Sequence, residues 1–167
     1  MIHEPIQIIT TGGTIDKIYF DAKSTYQVGC PNIKRVLEEL PVTVDYQITP
    51  LLQKDSLEIT DADRQVLADT IKATPGQRII VTHGTDTMVE SAMALADIQD
   101  KTIVFTGALE PAMFKTSDAI FNIGCAIAAV QALPAGIYIT MNGRIFPYDN
   151  VVKDVENSRF VPRSELS

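Results

Sequence analysis

Short apolar runs alternate with helical segments along most of the 167-residue chain, and this alternation constrains the fold more than any other feature. Apolar runs of about five residues bounded by turn residues are typical of buried strands, and longer periodic segments are typical of helices. An alternation of strands and helices favours a parallel sheet covered by helices on both faces. The predicted strands are Ile6–Thr10, Val42–Thr49, Arg78–Thr82, Thr102–Thr106 and Gly136–Met141, and the predicted helices are Asn32–Leu40, Asp61–Ala73, Thr87–Ile98 and Ser117–Leu133.

This pattern predicts an α/β fold, a three-layer sandwich with a mostly parallel sheet, helices on both faces, and hairpin or loop cover near the site. Two stretches depart from the alternation. Thr14–Gly29 is interpreted as a hairpin or mobile loop, and Gly143–Val155, centred on Pro147–Asn150, as a second hairpin. Long connections of this kind often cover an active site. The helix at Ser117–Leu133 is apolar on nearly all sides, so we expect it in the core or at a subunit interface.

Composition favours a single α/β domain over residues 1–167, with 46% hydrophobic residues and a net charge of −7. The acidity argues against a nucleic-acid partner. The chain has no apolar run of the roughly 18 residues that would span a membrane, and its start does not resemble a secretion signal, so we expect a cytoplasmic location. Neither a disulfide nor a metal or cofactor site is expected from Cys30, Cys125, His3 and His83.

Polar clusters follow the ends of the predicted strands. In a doubly wound sheet the turns after the strands meet at one rim, where ligands bind. The same residue types also form ordinary turns and helix caps, and Asp86 could simply cap the next helix. The clusters are Thr11–Thr14, Lys54–Ser56, Thr82–Thr87, Thr106–Gly107 and Asn142–Gly143.

Known motifs for other chemistries are absent from the sequence. The segment after the first strand lacks the second glycine and the Gly-Lys pair of a phosphate-binding loop, and no strand is followed by a dinucleotide-binding glycine pattern. No nucleophile elbow accompanies His83, which we expect to be a hydrogen-bonded turn residue rather than a general base. A threonine nucleophile at Thr14, assisted by a lysine or a tyrosine, is the chemistry that is left.

Two motifs carry a resemblance to a known family. Thr11–Ile15 (TGGTI) and Thr82–Met88 (THGTDTM) resemble the signature motifs of bacterial-type L-asparaginases and asparaginase/glutaminases. The similarity is strongest to the short, single-domain members of that family, and it covers nearly the whole chain. It continues through Thr14–Phe20, Tyr26–Gly29, Lys54–Leu57, Thr106–Ala108, Ser117–Asp118, Phe121–Asn122 and Met141–Asn142.

The resemblance implies a role for each matching residue. Thr14 would attack the side-chain amide of L-asparagine, release ammonia and form a β-aspartyl ester that water hydrolyses. A second group of hydroxyl, carboxylate and amine would activate the nucleophile or the water. A tyrosine on the Thr14–Gly29 segment would assist, and backbone N–H groups of the two glycine turns would stabilise the oxyanion. The implied catalytic residues are Thr14, Thr85, Asp86, Lys153 and either Tyr26 or its rival Tyr19, and the implied substrate-binding residues are Asp55, Ser56, Gly13 and Gly84.

Departures from the family pattern keep alternatives open. Glu110-Pro111 replaces the usual Arg-Pro, and the match covers only the N-terminal domain of larger members, whose sites a neighbouring subunit completes. We therefore expect a homodimer or homotetramer. The alternatives to asparagine hydrolysis are a non-catalytic amino-acid-binding or regulatory module, an amidase acting on glutamine or another small amide, and hydrolysis of an amide on aminoacyl-tRNA, against which the negative charge counts.

Overall fold

The computed structural model describes residues 4–166, so His3 lies outside the described residues. The α-helices are α1 (Asn32–Glu38), α2 (Asp61–Ala73), α3 (Met88–Met93) and α4 (Ala119–Ala132). The strands are β1 (Ile6–Gly12), β2 (Lys17–Phe20), β3 (Thr25–Val28), β4 (Tyr46–Lys54), β5 (Arg78–Thr82), β6 (Thr102–Thr106), β7 (Gly136–Met141), β8 (Arg144–Pro147), β9 (Val152–Asp154) and β10 (Arg159–Val161).

Six strands form one sheet in the order β4-β1-β5-β6-β7-β8, in which β8 runs antiparallel to β7 and the other neighbours are parallel. Helices cover both faces: α1 and α4 pack on one apolar cluster, and α2 and α3 pack on the other. The predicted α/β fold class is confirmed. Because β1, β5, β6 and β7 are parallel, the turns that follow them all emerge at the same rim of the sheet.

The edge strand β4 differs most from its predicted range. It begins at Tyr46 rather than Val42 and continues through Pro50 to Lys54. Pro50 is opposite Thr10 of β1 and has no N–H to donate, which an edge strand tolerates because it has a partner on one side only. The longer strand carries Lys54 and the residues after it to the rim.

Helix ends explain the remaining differences in the predicted elements. Thr60 and Asp63 form the predicted capping box at the start of α2, each accepting a hydrogen bond from the other's backbone N–H. Helix α1 ends at Glu38, shortly before Pro41, as expected because the residue before a proline disfavours the helical conformation. The predicted helix Thr87–Ile98 is shorter than expected, because after Met93 the backbone tightens into three-residue hydrogen bonds.

Helix α4 buries only one of its faces in the single chain. Ala119, Ile123 and Ala126 are buried against the sheet, whereas Ile120 and Phe121 are 55% and 59% exposed. The expectation of burial in the core therefore holds for the sheet-facing side alone.

The two long connections behave differently. Strands β2 and β3 form the predicted antiparallel hairpin within Thr14–Gly29. The predicted hairpin over Gly143–Val155 is wrong. Strand β8 instead pairs back onto β7, and a separate hairpin forms between β9 and β10. The Pro147–Asn150 turn leads from one pair to the other, and it brings Lys153 to the β9–β10 hairpin.

Candidate active site

The two glycine turns of the sequence motifs touch each other at the rim. A Cβ atom added to Gly13 would lie 2.3 Å from the backbone nitrogen of Gly84, so the two backbones are in contact. Gly13 also has a φ of 85°, a conformation that favours glycine. Thr14 follows Gly13 and Thr85 follows Gly84. The contact therefore places the two threonine-bearing turns side by side.

Lys153 joins the second turn from the β9–β10 hairpin. Its ammonium group donates hydrogen bonds to the Thr85 hydroxyl at 2.8 Å and to the Asp86 carboxylate at 2.6 Å. The Lys153 side chain is 17% exposed and that of Asp86 45% exposed, so this ion pair lies at the edge of the rim. The structure thus brings together Thr85, Asp86 and Lys153, which the resemblance implies as a group.

The candidate substrate-binding residues Asp55 and Ser56 occupy different environments. The Lys17 ammonium group lies 2.9 Å from the Asp55 carboxylate and, together with hydrogen bonds from backbone N–H groups, keeps the Asp55 pKa below its ordinary value. Asp55 also caps the turn at Ser56–Glu58. Ser56 is buried and lies against Gly84, where an added Cβ would come within 2.5 Å of the Ser56 Cβ. Ser56 is therefore in contact with the Gly84 turn, whereas Asp55 is already paired.

Backbone N–H groups differ in their availability as oxyanion donors. The Gly13 N–H donates to the Lys54 carbonyl at 2.8 Å, so it is already used within the fold. Among residues 4–166, the N–H groups of Gly84 and Thr85 donate to no other group. The second turn therefore has the donors that the first turn has used.

Neither candidate tyrosine is joined to Thr14 in the described part of the chain. Tyr19 and Tyr26 face each other across the β2–β3 hairpin, with ring centroids 5.5 Å apart, and Tyr26 also packs edge-on against Phe114. The two tyrosines are 45% and 50% exposed, and neither hydroxyl makes a hydrogen bond within residues 4–166. The structure places both on the hairpin and does not choose between them.

His83 supports the turn that precedes Thr85. Burial lowers the pKa of His83 to about 4, so its ring is neutral near pH 7. Its Nδ1 lies 2.7 Å from the Gly84 carbonyl and donates to it. This geometry agrees with the prediction of a hydrogen-bonded turn residue.

Asp118 and Asn122 hold a third turn of the rim. The Asp118 carboxylate accepts hydrogen bonds from the N–H groups of Leu109 and Glu110, and the Asn122 amide donates to the Gly107 carbonyl at 2.9 Å. An added Cβ at Gly107 would lie 2.3 Å from the His83 carbonyl, so this turn braces the one that carries Thr85. The sequence signal was an aspartate and an asparagine four residues apart at a helix start, where they meet on one face.

Asp16 is a site residue that sequence reasoning missed. Its side chain is buried, and burial raises its pKa to about 7. It belongs to the same short 3-10 turn as Thr14. An aspartate two residues after the candidate nucleophile was the available signal, but nothing in the sequence predicted its burial.

The fold and the site together define an α/β protein that groups hydroxyl, amine and carboxylate side chains at the carboxyl edge of a parallel sheet, as hydrolases with a hydroxyl nucleophile do. A family model described as asparaginase, N-terminal, matches residues 5–160. The chain belongs to that asparaginase family.

Individual relatives agree with the family assignment. A glutaminase-asparaginase from Acinetobacter glutaminasificans is 30% identical over 90% of this chain and 50% of its own length. A protein of the glutamyl-tRNA(Gln) amidotransferase from Haloquadratum walsbyi is 32% identical over 82% of this chain and 33% of its own length. The crystal structure of a probable cytoplasmic L-asparaginase from Campylobacter jejuni matches with a TM-score of 0.80 and 27% identity, over 95% of this chain and 51% of that one. The chain thus spans about half or less of the length of these relatives.

Residues 4–166 also bear on the expectations about membranes and metals. No helix there is long and apolar enough to cross a membrane. No three His, Cys, Asp or Glu side chains come together in that region as a metal ion would require.

Proposed function

We propose that this protein is an amidohydrolase that converts L-asparagine to L-aspartate and ammonia, with Thr14 as nucleophile. The observation that carries the proposal is the Lys153 ammonium group, which bridges the Thr85 hydroxyl and the Asp86 carboxylate next to the turn that bears Thr14. Membership of the asparaginase family supports the choice of reaction.

In the proposed first step, the Thr14 hydroxyl oxygen attacks the side-chain amide carbon of asparagine. A carbon–oxygen bond forms, the carbon–nitrogen bond breaks, and the proton of the hydroxyl leaves with the nitrogen as ammonia. The carbonyl oxygen becomes negatively charged in the transition state, and the N–H groups of Gly84 and Thr85, which donate to no other group in residues 4–166, would stabilise it. The product of this step is a β-aspartyl ester on Thr14.

In the proposed second step, water hydrolyses the ester and Thr85 with Lys153 handles the proton. Lys153 donates to the Thr85 oxygen, so the Thr85 hydroxyl hydrogen is free to point elsewhere. As a neutral amine, Lys153 would accept a proton from Thr85 while Thr85 accepts one from the attacking water. Asp86 then stabilises the resulting ammonium and keeps it in place.

The substrate's α-carboxylate is assigned to Ser56 rather than to Asp55. Among residues 4–166, the Ser56 hydroxyl makes no hydrogen bond, and it lies against the Gly84 turn. Asp55 carries a negative charge and is paired with Lys17, so it would repel a carboxylate. Asp55 therefore acts in this proposal by capping the turn that presents Ser56.

Glutamine is the second candidate substrate, favoured by the name of the Acinetobacter relative, a glutaminase-asparaginase. The Haloquadratum relative, named for a glutamyl-tRNA(Gln) amidotransferase, keeps ammonia supply to a larger carrier as a further variant of the same amide chemistry. A cytoplasmic location and a homodimer or homotetramer complete the proposal.

The test is ammonia release by the purified full chain from asparagine, glutamine and small peptide amides, with Thr14→Ala and Thr14→Ser as matched variants. The proposal expects asparagine to be the best substrate, Thr14→Ala to be inactive, and Thr14→Ser to retain part of the activity because it keeps the hydroxyl. Equal ammonia release by wild type and Thr14→Ala would overturn it. Aspartate binding by calorimetry without any turnover would favour the non-catalytic binding module instead.

A further inference from the structure

Asp16 has an unusual position for a carboxyl group. The residue is only 1% exposed, and one of its carboxyl oxygens accepts a hydrogen bond from the backbone N–H of Asn32 at 2.8 Å. Asp16 borders a small cleft of ≈ 210 Å³ whose other lining residues are apolar or uncharged: Gly29, Pro31, Pro50, Leu51, Leu52 and Gln53.

The backbone of Asp16 also connects the nucleophile turn to the hairpin. Its N–H donates to the Gly13 carbonyl at 3.1 Å, which closes the turn around Thr14. Its carbonyl accepts from the Gly29 N–H at 2.8 Å, at the point where the β2–β3 hairpin ends. Asp16 therefore contacts the turn that holds Thr14, the base of the hairpin that holds both candidate tyrosines, and the start of α1.

Among residues 4–166, no cation is paired with the Asp16 carboxyl. Burial is the main cause of the rise in its pKa to about 7, and the hydrogen bond from Asn32 opposes that rise only in part. The other titratable groups on the surrounding elements are engaged elsewhere or exposed: Lys17 with Asp55, Lys54 with Asp63, Lys34 with Glu38, Arg35 with Glu39, Glu110 with the Thr116 hydroxyl, and Cys30 at the surface.

A buried carboxyl group without a cation is costly to ionise, and an uncharged residue in its place would avoid that cost. Its presence beside Thr14 therefore points to a function in the site. We propose that Asp16 is a positioning residue for the amide hydrolysis proposed above: its ionised carboxylate, held by the Asn32 N–H, fixes the turn that carries Thr14 against α1 and the base of the hairpin.

The proposal predicts how activity depends on pH. When Asp16 is protonated, its hydrogen bond from Asn32 loses the assistance of a full negative charge and weakens. The Thr14 turn and the hairpin base are then held less firmly, and kcat/KM falls as the pH drops through about 7. Asp16 does not touch the substrate in this account, so the effect is expected in kcat more than in KM.

The test compares wild type with Asp16→Asn, which keeps the shape and a hydrogen-bond acceptor but cannot ionise. In wild type, kcat/KM for asparagine should rise with a midpoint near pH 7. In Asp16→Asn this rise should vanish, and activity at about pH 8 should be lower by on the order of 10- to 100-fold. Asp45→Asn, an exposed aspartate just before the same edge strand β4, is the matched control and should behave as wild type.

Unfolding measurements separate positioning from structural support. Asp16→Asn should unfold at an equal or higher temperature than wild type at about pH 8, since it removes a buried charge. A variant that loses activity only in proportion to a loss of folded protein, or one that keeps the wild-type pH profile, would overturn the proposal.

A direct titration of Asp16 keeps this proposal distinguishable from the proposed function on which it rests. The side-chain carboxyl carbon of Asp16, assigned by its absence from the NMR spectrum of Asp16→Asn, should titrate with a midpoint near 7 in the full-length protein. A midpoint at or below 4 would overturn the role of Asp16 even if wild type hydrolyses asparagine. Lack of amide hydrolysis by wild type with a midpoint near 7 would instead refute the proposed reaction, and with it the role of Asp16 in that reaction.

Discussion

Two lysines at the rim make similar ion pairs, but Lys153 has a contact that Lys54 lacks. Lys54 pairs with Asp63 at 2.8 Å, and that pair stabilises the start of α2. Lys153 pairs with Asp86 at 2.6 Å and also donates to a hydroxyl, that of Thr85. The additional hydrogen bond to a hydroxyl is what allows a lysine to move a proton rather than only to neutralise a charge.

This difference predicts the outcome of a matched pair of substitutions. Lys153→Met should lower kcat for asparagine by on the order of 10²- to 10⁴-fold, since it removes the amine that exchanges a proton with Thr85. Lys54→Met should leave kcat within a few-fold of wild type, although it weakens the start of α2. Steady-state ammonia release measures both. Similar losses in the two variants would mean that Lys153 only supports the fold.

At the scale of elements, the site depends on three turns packed against one another with no space for side chains between them. A Cβ atom at Gly84 would lie 2.5 Å from the Ser56 Cβ, and one at Gly13 would overlap the Gly84 backbone. The rim is therefore assembled through backbone contacts, and small changes there alter the positions of Thr14 and Thr85 together.

Gly84→Ala tests this packing, with Gly124→Ala as its control. Gly84→Ala should lower the free energy of unfolding by about 1–3 kcal/mol, since Ser56 must move to admit the methyl group. Gly124 lies on the exposed side of α4 with nothing within 4 Å of an added Cβ, and Gly124→Ala should raise stability by about 0.5–1 kcal/mol. Urea denaturation measures both. Equal stability changes would contradict the packing described for the rim.

The elements also show what could be predicted from the sequence. Strands β5, β6 and β7 have the predicted bounds, because continuous apolar runs are a strong signal for strands buried on both faces. The β9–β10 hairpin was missed, since its pairing depends on contacts between short polar segments that carry no periodic signal. For the same reason, Lys153 was placed by resemblance to a family, and the burial of Asp16 was not predicted at all.

At the scale of the whole molecule, two buried groups have opposite effects on stability as the pH changes. Asp16 has an ordinary pKa of 3.8 and a folded pKa of about 7, so the stabilisation from binding its proton is complete below pH 3.8 and is lost as the pH rises to about 7. His83 has an ordinary pKa of 6.5 and a folded pKa of about 4, so its contribution is present above pH 6.5 and is lost as the pH falls to about 4. Between about pH 4 and 6.5 the two effects oppose each other.

The opposition predicts two differently shaped stability curves. Wild type should show little change in unfolding temperature between about pH 4 and 6.5. Asp16→Asn keeps only the His83 effect, so its unfolding temperature should rise across that range and then level off. Thermal unfolding followed by circular dichroism, in buffers spanning the range, measures the curves. Parallel curves for the two proteins would show that Asp16 is not a buried titrating group.

The exposed side of α4 leads to a prediction about assembly. Ile120 and Phe121 are more than half exposed, and Ile145 on the edge strand β8 is 49% exposed. Apolar surface of this kind favours association between copies. Light scattering should therefore give a homodimer or homotetramer, and Phe121→Lys should shift it towards monomer. A stable and fully active wild-type monomer would contradict this expectation.

The most direct test of the central claim is to trap the reaction intermediate. The full chain is mixed with asparagine, quenched rapidly in acid and digested, and the peptides are analysed by mass spectrometry. The account predicts that the peptide containing Thr14 gains the mass of a β-aspartyl group, and that Thr14→Ala shows no such adduct. An aspartyl adduct on Thr85 instead, or release of ammonia by Thr14→Ala at the wild-type rate, would contradict the account.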